Sequence, residues 1–116
     1  MIVLEPSCAA VFRDELANLL PFDEDARRLQ EQTYLLSEFL HKHAGDFKLP
    51  RLERKALVHG HCHQKSFSAF KPVEQVLRLI PDLKVELVES SCCGMAGAFG
   101  YGADTYDASI AMAERS

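Results

Sequence analysis

The sequence has no long hydrophobic run: no stretch reaches the roughly 18 apolar residues that a membrane-spanning helix requires. It also has no basic excess. The formal net charge is −4, which disfavours non-specific nucleic-acid binding and leaves no basic patch for a membrane surface. There is no glycine-rich phosphate loop of the G-x-x-x-x-G-K-S/T type. Gly94-Met95-Ala96-Gly97 does not match the dinucleotide fingerprint, and no serine nucleophile elbow occurs. Low-complexity tracts and long linkers are absent. Met1-Ile2-Val3-Leu4 meets Glu5 at once, so no signal peptide is expected. What remains is a chain of 116 residues, 47 % hydrophobic, which is one small domain with an ordinary core-forming content.

Against that background the four cysteines stand out. Three of them lie in two short blocks, His59-Gly60-His61-Cys62-His63-Gln64-Lys65 and Ser90-Ser91-Cys92-Cys93-Gly94-Met95-Ala96-Gly97. A disulfide between the neighbours Cys92 and Cys93 would strain the peptide joining them. Nothing marks secretion, and reduced thiols are the cytosolic default, so a cytoplasmic location is expected. Buried free cysteines behave as small apolar residues, which suits one isolated cysteine better than an adjacent pair in a glycine-rich turn. Thiolates are soft ligands suited to iron–sulfur clusters and to zinc.

The chain reads as alternating strands and helices. Met1–Glu5 is a short buried strand and Pro6-Ser7-Cys8 a turn. Phe12, Leu16, Leu19 and Leu20 recur at helical spacing until Pro21. A second helix starts near Asp23 or Asp25, carries Leu29, Leu36, Phe39 and Leu40 on one face, and stops at Gly45. After a loop over 47–54, Lys55–His59 is the second strand. Pro72 opens a third helix with Val73, Val76, Leu77 and Ile80 on its apolar face, ended by Pro81. Lys84–Glu89 alternates as a third strand. Asp104 caps a last helix whose inward face is Tyr106, Ile110 and Ala113. This order implies an α/β fold with a mostly parallel sheet flanked by helices. Each strand is followed by a cysteine turn, at Cys8, at Cys62, and at Cys92 with Cys93. Ligands of open parallel sheets bind beyond the carboxyl ends of the strands, so a shared site there is expected. Both ends read as boundaries within a longer polypeptide.

Adjacent Cys92 and Cys93 point different ways and can hold two sides of one cluster. Gly94 permits a tight turn, and Gly94, Gly97, Gly100 and Gly102 let backbone amides approach cluster sulfurs. In an extended backbone His59, His61 and His63 lie on one side and Cys62 on the other, which argues against all four sharing one metal. A histidine here can be a ligand, a donor to a sulfide, a proton carrier or simply a structural hydrogen-bonding group. Lys65 can offset negative cluster charge or be solvated. Cys8 is a ligand candidate through its place at the same sheet edge. His41 and His43, in the last turn of a helix, read as structural, and Arg27, Arg28, Glu31 and Glu38 as solvated. A Cys62–histidine nucleophile would leave Cys92 and Cys93 unexplained.

At Cys62 and Cys92-Cys93-Gly94 the chain resembles the cysteine-rich CCG domain. That domain is found in the smaller cysteine-rich component of heterodisulfide reductase, the glycolate oxidase iron–sulfur subunit, lactate-utilisation proteins, the iron–sulfur component of anaerobic glycerol-3-phosphate dehydrogenase and the C-terminal part of large FAD-linked oxidases. His61-Cys62-His63-Gln64-Lys65, Ser91-Cys92-Cys93-Gly94-Met95-Ala96-Gly97-Ala98-Phe99-Gly100 and Glu5-Pro6-Ser7-Cys8 look most like the FAD-linked oxidase and glycolate oxidase branch. The resemblance implies that Cys62, Cys92 and Cys93 are the first ligands of a second motif copy. Cys8 then looks like the last cysteine of the first copy, with Glu5 where its partner cysteine would stand. The chain is then a single domain over 1–116, with the tail of the first repeat over 1–20 and most of the second over 55–116. No cysteine follows Cys93, so the closing ligands of that second copy are expected beyond Ser116, and a fragment without them is expected to hold a four-iron cluster poorly or to be isolated metal-free.

The resemblance further implies a 4Fe–4S type cluster passing electrons from FAD on another domain or subunit. The parent enzyme is expected to be a flavin-linked oxidoreductase acting on a 2-hydroxy acid such as glycolate or lactate. It is expected to be cytoplasmic, or peripheral to the inner membrane through its partners. Two rival readings stay open. One is a structural zinc site drawing on Cys8, Cys62, Cys92 or Cys93 and one histidine. The other is a thiol–disulfide redox domain acting through Cys92 or Cys93, as in heterodisulfide reductase.

Overall fold

The structure, a computed structural model, describes residues 1–43, 45–89 and 92–115. Ser90 and Ser91, which open the second cysteine block, lie outside the described residues. The fold is α/β and consists of two successive strand–helix–strand units. In the first, β1 (Ile2–Val3) pairs in parallel with β2 (Tyr34–Leu35). In the second, β3 (Arg54–Val58) pairs in parallel with β4 (Leu83–Leu87), with Ala56 opposite Val85. Parallel neighbours need a long crossover. The first crossover is α1 (Pro6–Ala10), a π-helical stretch (Val11–Glu15), α2 (Leu16–Leu19) and α3 (Glu24–Glu31). Helix α4 (Leu36–His43) joins the units. The second crossover is α5 (Cys62–Ser66) and α6 (Lys71–Leu77), and α7 (Tyr106–Ala113) follows the last strand. The expected sheet is therefore two separate two-stranded sheets.

Five local readings change. The first strand is not buried: Ile2 and Leu4 are exposed and Val3 half-buried, because a two-residue strand in a two-stranded sheet has little to cover it. Helix α6 stops at Leu77, and Ile80 lies beyond it in the turn before Pro81. Pro6-Ser7-Cys8 is helical, because Glu5 caps it and Pro6 occupies the first helical position, where its missing N–H costs nothing. The expected single helix from Asp23 to Gly45 is broken by β2. Asp23 does cap α3, accepting from the Ala26 amide at 2.8 Å. At the other end the Thr33 hydroxyl donates to the Leu29 carbonyl at 2.6 Å. Such a side-chain bond competes with the helix ladder, and the Tyr34 amide turns away to the Met1 carbonyl at 3.0 Å. In α7 the buried residue is Ser109, while Tyr106 and Ile110 are exposed, and the cap position is Thr105, not Asp104.

The buried centre is small: Ala9, Leu35 and Ala69, with Val3 and Phe67 packed against it. The radius of gyration is 16.9 Å and the extents are 45 × 43 × 18 Å, against about 13 Å for a compact domain of this size. The molecule is a slab with a thin core. Polar contacts share the work of fixing it. Glu38, expected to be solvated, accepts from Arg13 at 2.7 Å and from the Leu35 amide at 2.9 Å. The same guanidinium lies 5.5 Å from the Phe67 ring centroid, so one arginine ties the first crossover to α4 and to the end of α5. Helix α5 stops in a Schellman motif: Ala69 N–H donates to the Gln64 carbonyl at 2.7 Å and Ser68 N–H to the Lys65 carbonyl at 3.2 Å. Ser68 takes the left-handed conformation there, with φ 57°.

Leu35→Ala should destabilise by about 2–4 kcal/mol in urea unfolding, whereas Phe22→Ala, at a side chain 95 % exposed, should stay within about 0.5 kcal/mol of the parent. Ser68→Gly should stabilise by about 0.5–1 kcal/mol, since glycine carries no Cβ penalty at positive φ.

Candidate metal centre

None of the four cysteines is in a disulfide, and all lie in the segments that follow β1, β3 and β4 at their carboxyl ends. Cys8, Cys62 and Cys93 are exposed and Cys92 is half-buried. How each is held differs.

Cys8 is fixed by Glu5. The Ser7 amide and hydroxyl donate to Glu5 Oε1 at 3.0 and 2.5 Å, and the Cys8 amide donates to Oε2 at 2.6 Å. These bonds satisfy amides that the first turn of α1 would otherwise leave unpaired. They stabilise the carboxylate and hold the Glu5 carboxyl at about 2, below its ordinary 4.5, with the Ser7 hydroxyl contributing most. The same carboxylate pushes the Cys8 thiol upward, chiefly by accepting a hydrogen bond from it.

Cys62 is fixed by a second cap. His61 is extended and caps α5 in a capping box with Gln64. Its Nδ1 accepts from the His63 amide at 3.2 Å, while Gln64 Oε1 accepts from the His61 amide at 3.1 Å. Extended geometry thus ends at His61 and helix begins at Cys62, so the histidines and the cysteine are not on opposite sides. The donor atoms of His61, Cys62 and His63 all lie within 4.8 Å of one another. The His63 ring stacks on His61 at 5.4 Å and on Phe67 at 6.5 Å. Its Nδ1 is buried with no hydrogen-bond partner among the described residues. His59 is exposed at the end of the strand, and Lys65 is half-buried beside Gly60.

Cys92 and Cys93 are fixed by glycine and by Ser109. Gly94 has φ 81°, and a Cβ there would sit 2.2 Å from the Ser109 carbonyl oxygen. Only glycine fits at that distance. The Ser109 hydroxyl donates to the Gly94 carbonyl at 2.9 Å in a buried bond, and the Gly94 amide donates to Cys92 Sγ at 3.4 Å. Gly97 also has positive φ, 67°, and stands in open space. Gly100 packs under Met95 and Ser109.

Helices α1 and α5 pack on each other, and His61 Nε2 lies 3.8 Å from Glu5 Oε1, so the first two cysteine segments are joined. The Cys92–Cys93 turn is braced instead on α7. Among the described residues, the group of three close donors is His61, Cys62 and His63, and it contains neither Cys92 nor Cys93. A cleft of about 650 Å3, lined by Arg13, Gln30, Tyr34, Glu38, Lys42 and Phe67 among others, includes no cysteine. His43 lies in an aromatic cluster with Tyr34 and Phe39, as a structural histidine should. Glu5 and Ser109 are positioning residues that the sequence reading missed. Glu before Pro at a helix start was a usable signal for the first, whereas Ser109 has no local sequence signature.

The chain is 28 % identical over 115 residues to a component of the anaerobic glycerol-3-phosphate dehydrogenase of Escherichia coli (strain K12), the one designated C. It matches the same component from Escherichia coli O157:H7 to the same extent. The alignments take in 97 % of this chain and 28 % of each relative, so the chain spans less than a third of their length. No family model matches the sequence, and no solved structure matches it. No helix among the described residues is long and apolar enough to cross a membrane.

Gly94→Ala should dislodge the Cys92–Cys93 turn from α7, seen as faster alkylation of Cys92 by mass spectrometry. Ser109→Ala should cost about 1–3 kcal/mol by leaving the buried Gly94 carbonyl unpaired. The lowered Glu5 carboxyl stabilises the metal-free fold fully above its unfolded value of 4.5 and loses that effect as pH falls through about 2. The Glu5 side chain is 48 % exposed, so the effect is a screened, surface-sized one. Urea unfolding should show Glu5→Gln less stable than the parent above pH 4.5, with the gap narrowing towards pH 2.

Proposed function

We propose that this chain is the cysteine-bearing electron-transfer part of an oxidoreductase, a CCG-type iron–sulfur domain with Cys62, Cys92 and Cys93 as ligands and Cys8 beside Cys62. The observation that carries the reading is the Cys92-Cys93-Gly94 turn. Its glycine cannot be replaced against Ser109, and its Gly94 amide already donates to Cys92 Sγ at 3.4 Å, the kind of bond that tunes cluster potential. Cysteine sulfurs outside any disulfide are the donor chemistry such a cluster takes. When bound, the cluster supplies one-electron transfer. The residues of the chain hold it: Glu5 and His61 set the Cys8 and Cys62 segments, Ser109 braces the Cys92–Cys93 turn, and Lys65, one helical turn beyond His61, supplies positive charge to offset the cluster's.

The likeness to that glycerol-3-phosphate dehydrogenase component along 97 % of the chain supports a place within a multi-subunit dehydrogenase. We read the partner as a flavin-bearing domain or subunit. Glycerol 3-phosphate and 2-hydroxy acids share one chemistry, oxidation of an alcohol carbon to a carbonyl with two electrons passed onward, and the chain's role is the onward step. Substrate is bound elsewhere, and we place the enzyme in the cytoplasm or on the inner face of the membrane through its partners. A zinc site is the second reading, favoured by the nitrogen and sulfur donors of His61, Cys62 and His63 within 4.8 Å of one another.

Anaerobic reconstitution followed by iron, sulfide and zinc analysis separates the two. Iron with matching sulfide and a brown colour in a version extended past Ser116, both lost in Cys62→Ser, Cys92→Ser and Cys93→Ser, is the expected result. One zinc per chain and no sulfide, with Cys92→Ser and Cys93→Ser still loading it, would replace the electron-transfer reading with the zinc site.

A further inference from the structure

The geometry points to Glu5 and His61 as a positioning pair that holds the Cys8 and Cys62 helix starts in one fixed arrangement before any metal arrives. Each residue is the N-cap of the helix that carries one of the cysteines. Each also reaches the other: His61 Nε2 faces Glu5 Oε1 at 3.8 Å. Glu5 cannot swing freely, because its two oxygens accept the Ser7 hydroxyl and the Ser7 and Cys8 amides. His61 cannot rotate freely either. Its Nδ1 accepts the His63 amide, and its ring lies stacked on His63 with 21° between the planes. Accepting a backbone N–H requires a bare Nδ1, so the hydrogen-bond network assigns the ring proton to Nε2, the atom that faces the carboxylate. One carboxylate thereby joins two caps that are far apart in the sequence. Moving either cap moves the thiol behind it.

The pair adds a polar contact between α1 and α5 at the edge of the hydrophobic centre formed by Ala9, Leu35 and Ala69. Its value as a way of arranging ligands rests on the proposed donor role of Cys8 and Cys62. Its geometry does not, and the test uses no metal.

Two substitutions separate the contact from the caps. Glu5→Asp keeps a preferred capping side chain but is one methylene too short to meet His61. His61→Asn likewise keeps a preferred cap and removes Nε2. The metal-free chain is treated with a short bis-maleimide at mildly alkaline pH, and peptide mapping by mass spectrometry reads, among chains alkylated at Cys8, the fraction bridged to Cys62, so that a change in Cys8 reactivity cancels, both thiols being exposed. Each single variant should lower that fraction by about threefold or more, and the double variant should lose no more than either single one, the signature of one shared interaction. Far-UV helicity should stay at the parent's level in all three. Unchanged bridging, or losses that multiply in the double variant, would overturn the pair. So would a fall in helicity parallel to the fall in bridging, since the residues would then serve only as caps. A chain that refuses iron yet shows the bridging pattern keeps the pair and loses the cluster; the reverse pattern keeps the cluster and loses the pair.

Discussion

Directional contacts at helix starts and turns, more than a deep core, set the arrangement of this molecule, and the Glu5 carboxylate carries several of them. It caps α1, fixes the Cys8 amide and faces the histidine that caps α5. A slab 18 Å thick has room for little more than one layer of helix against one layer of strand. Hydrophobic burial in so thin a body is limited, and no large side chain among the described residues is fully buried. Placement of the cysteines therefore falls to directional contacts. Caps position Cys8 and Cys62, a buried serine–carbonyl bond positions the Cys92–Cys93 turn, and the Arg13 guanidinium, held between Glu38 and Phe67, ties the first crossover to the second.

Much of this was legible in the sequence. The strands ahead of Cys8, Cys62 and Cys92, the parallel pairing, the Asp23 cap and the Pro72 helix start all follow from local pattern. The failures have local causes too. The hydrophobic stripe through Leu29, Leu36, Phe39 and Leu40 hid a strand, because helical spacing survives across β2 even though the Thr33 hydroxyl is bound to the Leu29 carbonyl. The block from His59 to Lys65 reads as a turn after β3, because His and Cys have no strong conformational preference. Its helix start was encoded by Gln64, three residues after His61, in a capping box with an unusual cap residue. Glu38 looked solvated because its partner Arg13 is distant in sequence. No local rule reveals a long-range ion pair, nor the approach of Ser109 to Gly94.

The site is legible in parts. The types of donor were read from sequence; which donors meet was not. The structure joins the Cys8 and Cys62 segments and brings two histidines beside Cys62, while the Cys92–Cys93 turn keeps its own brace on α7. The Cys92 sulfur already accepts the Gly94 amide at 3.4 Å. The relatives it matches are more than three times as long, and the chain aligns with 28 % of their length.

The most direct test of the electron-transfer role is X-ray absorption at the iron and zinc edges on the anaerobically loaded protein. Iron surrounded by sulfur, with a second iron in the next shell and Cys92 and Cys93 required for the signal, is the predicted result. Zinc bound by a mixture of nitrogen and sulfur, with no iron retained, would contradict it.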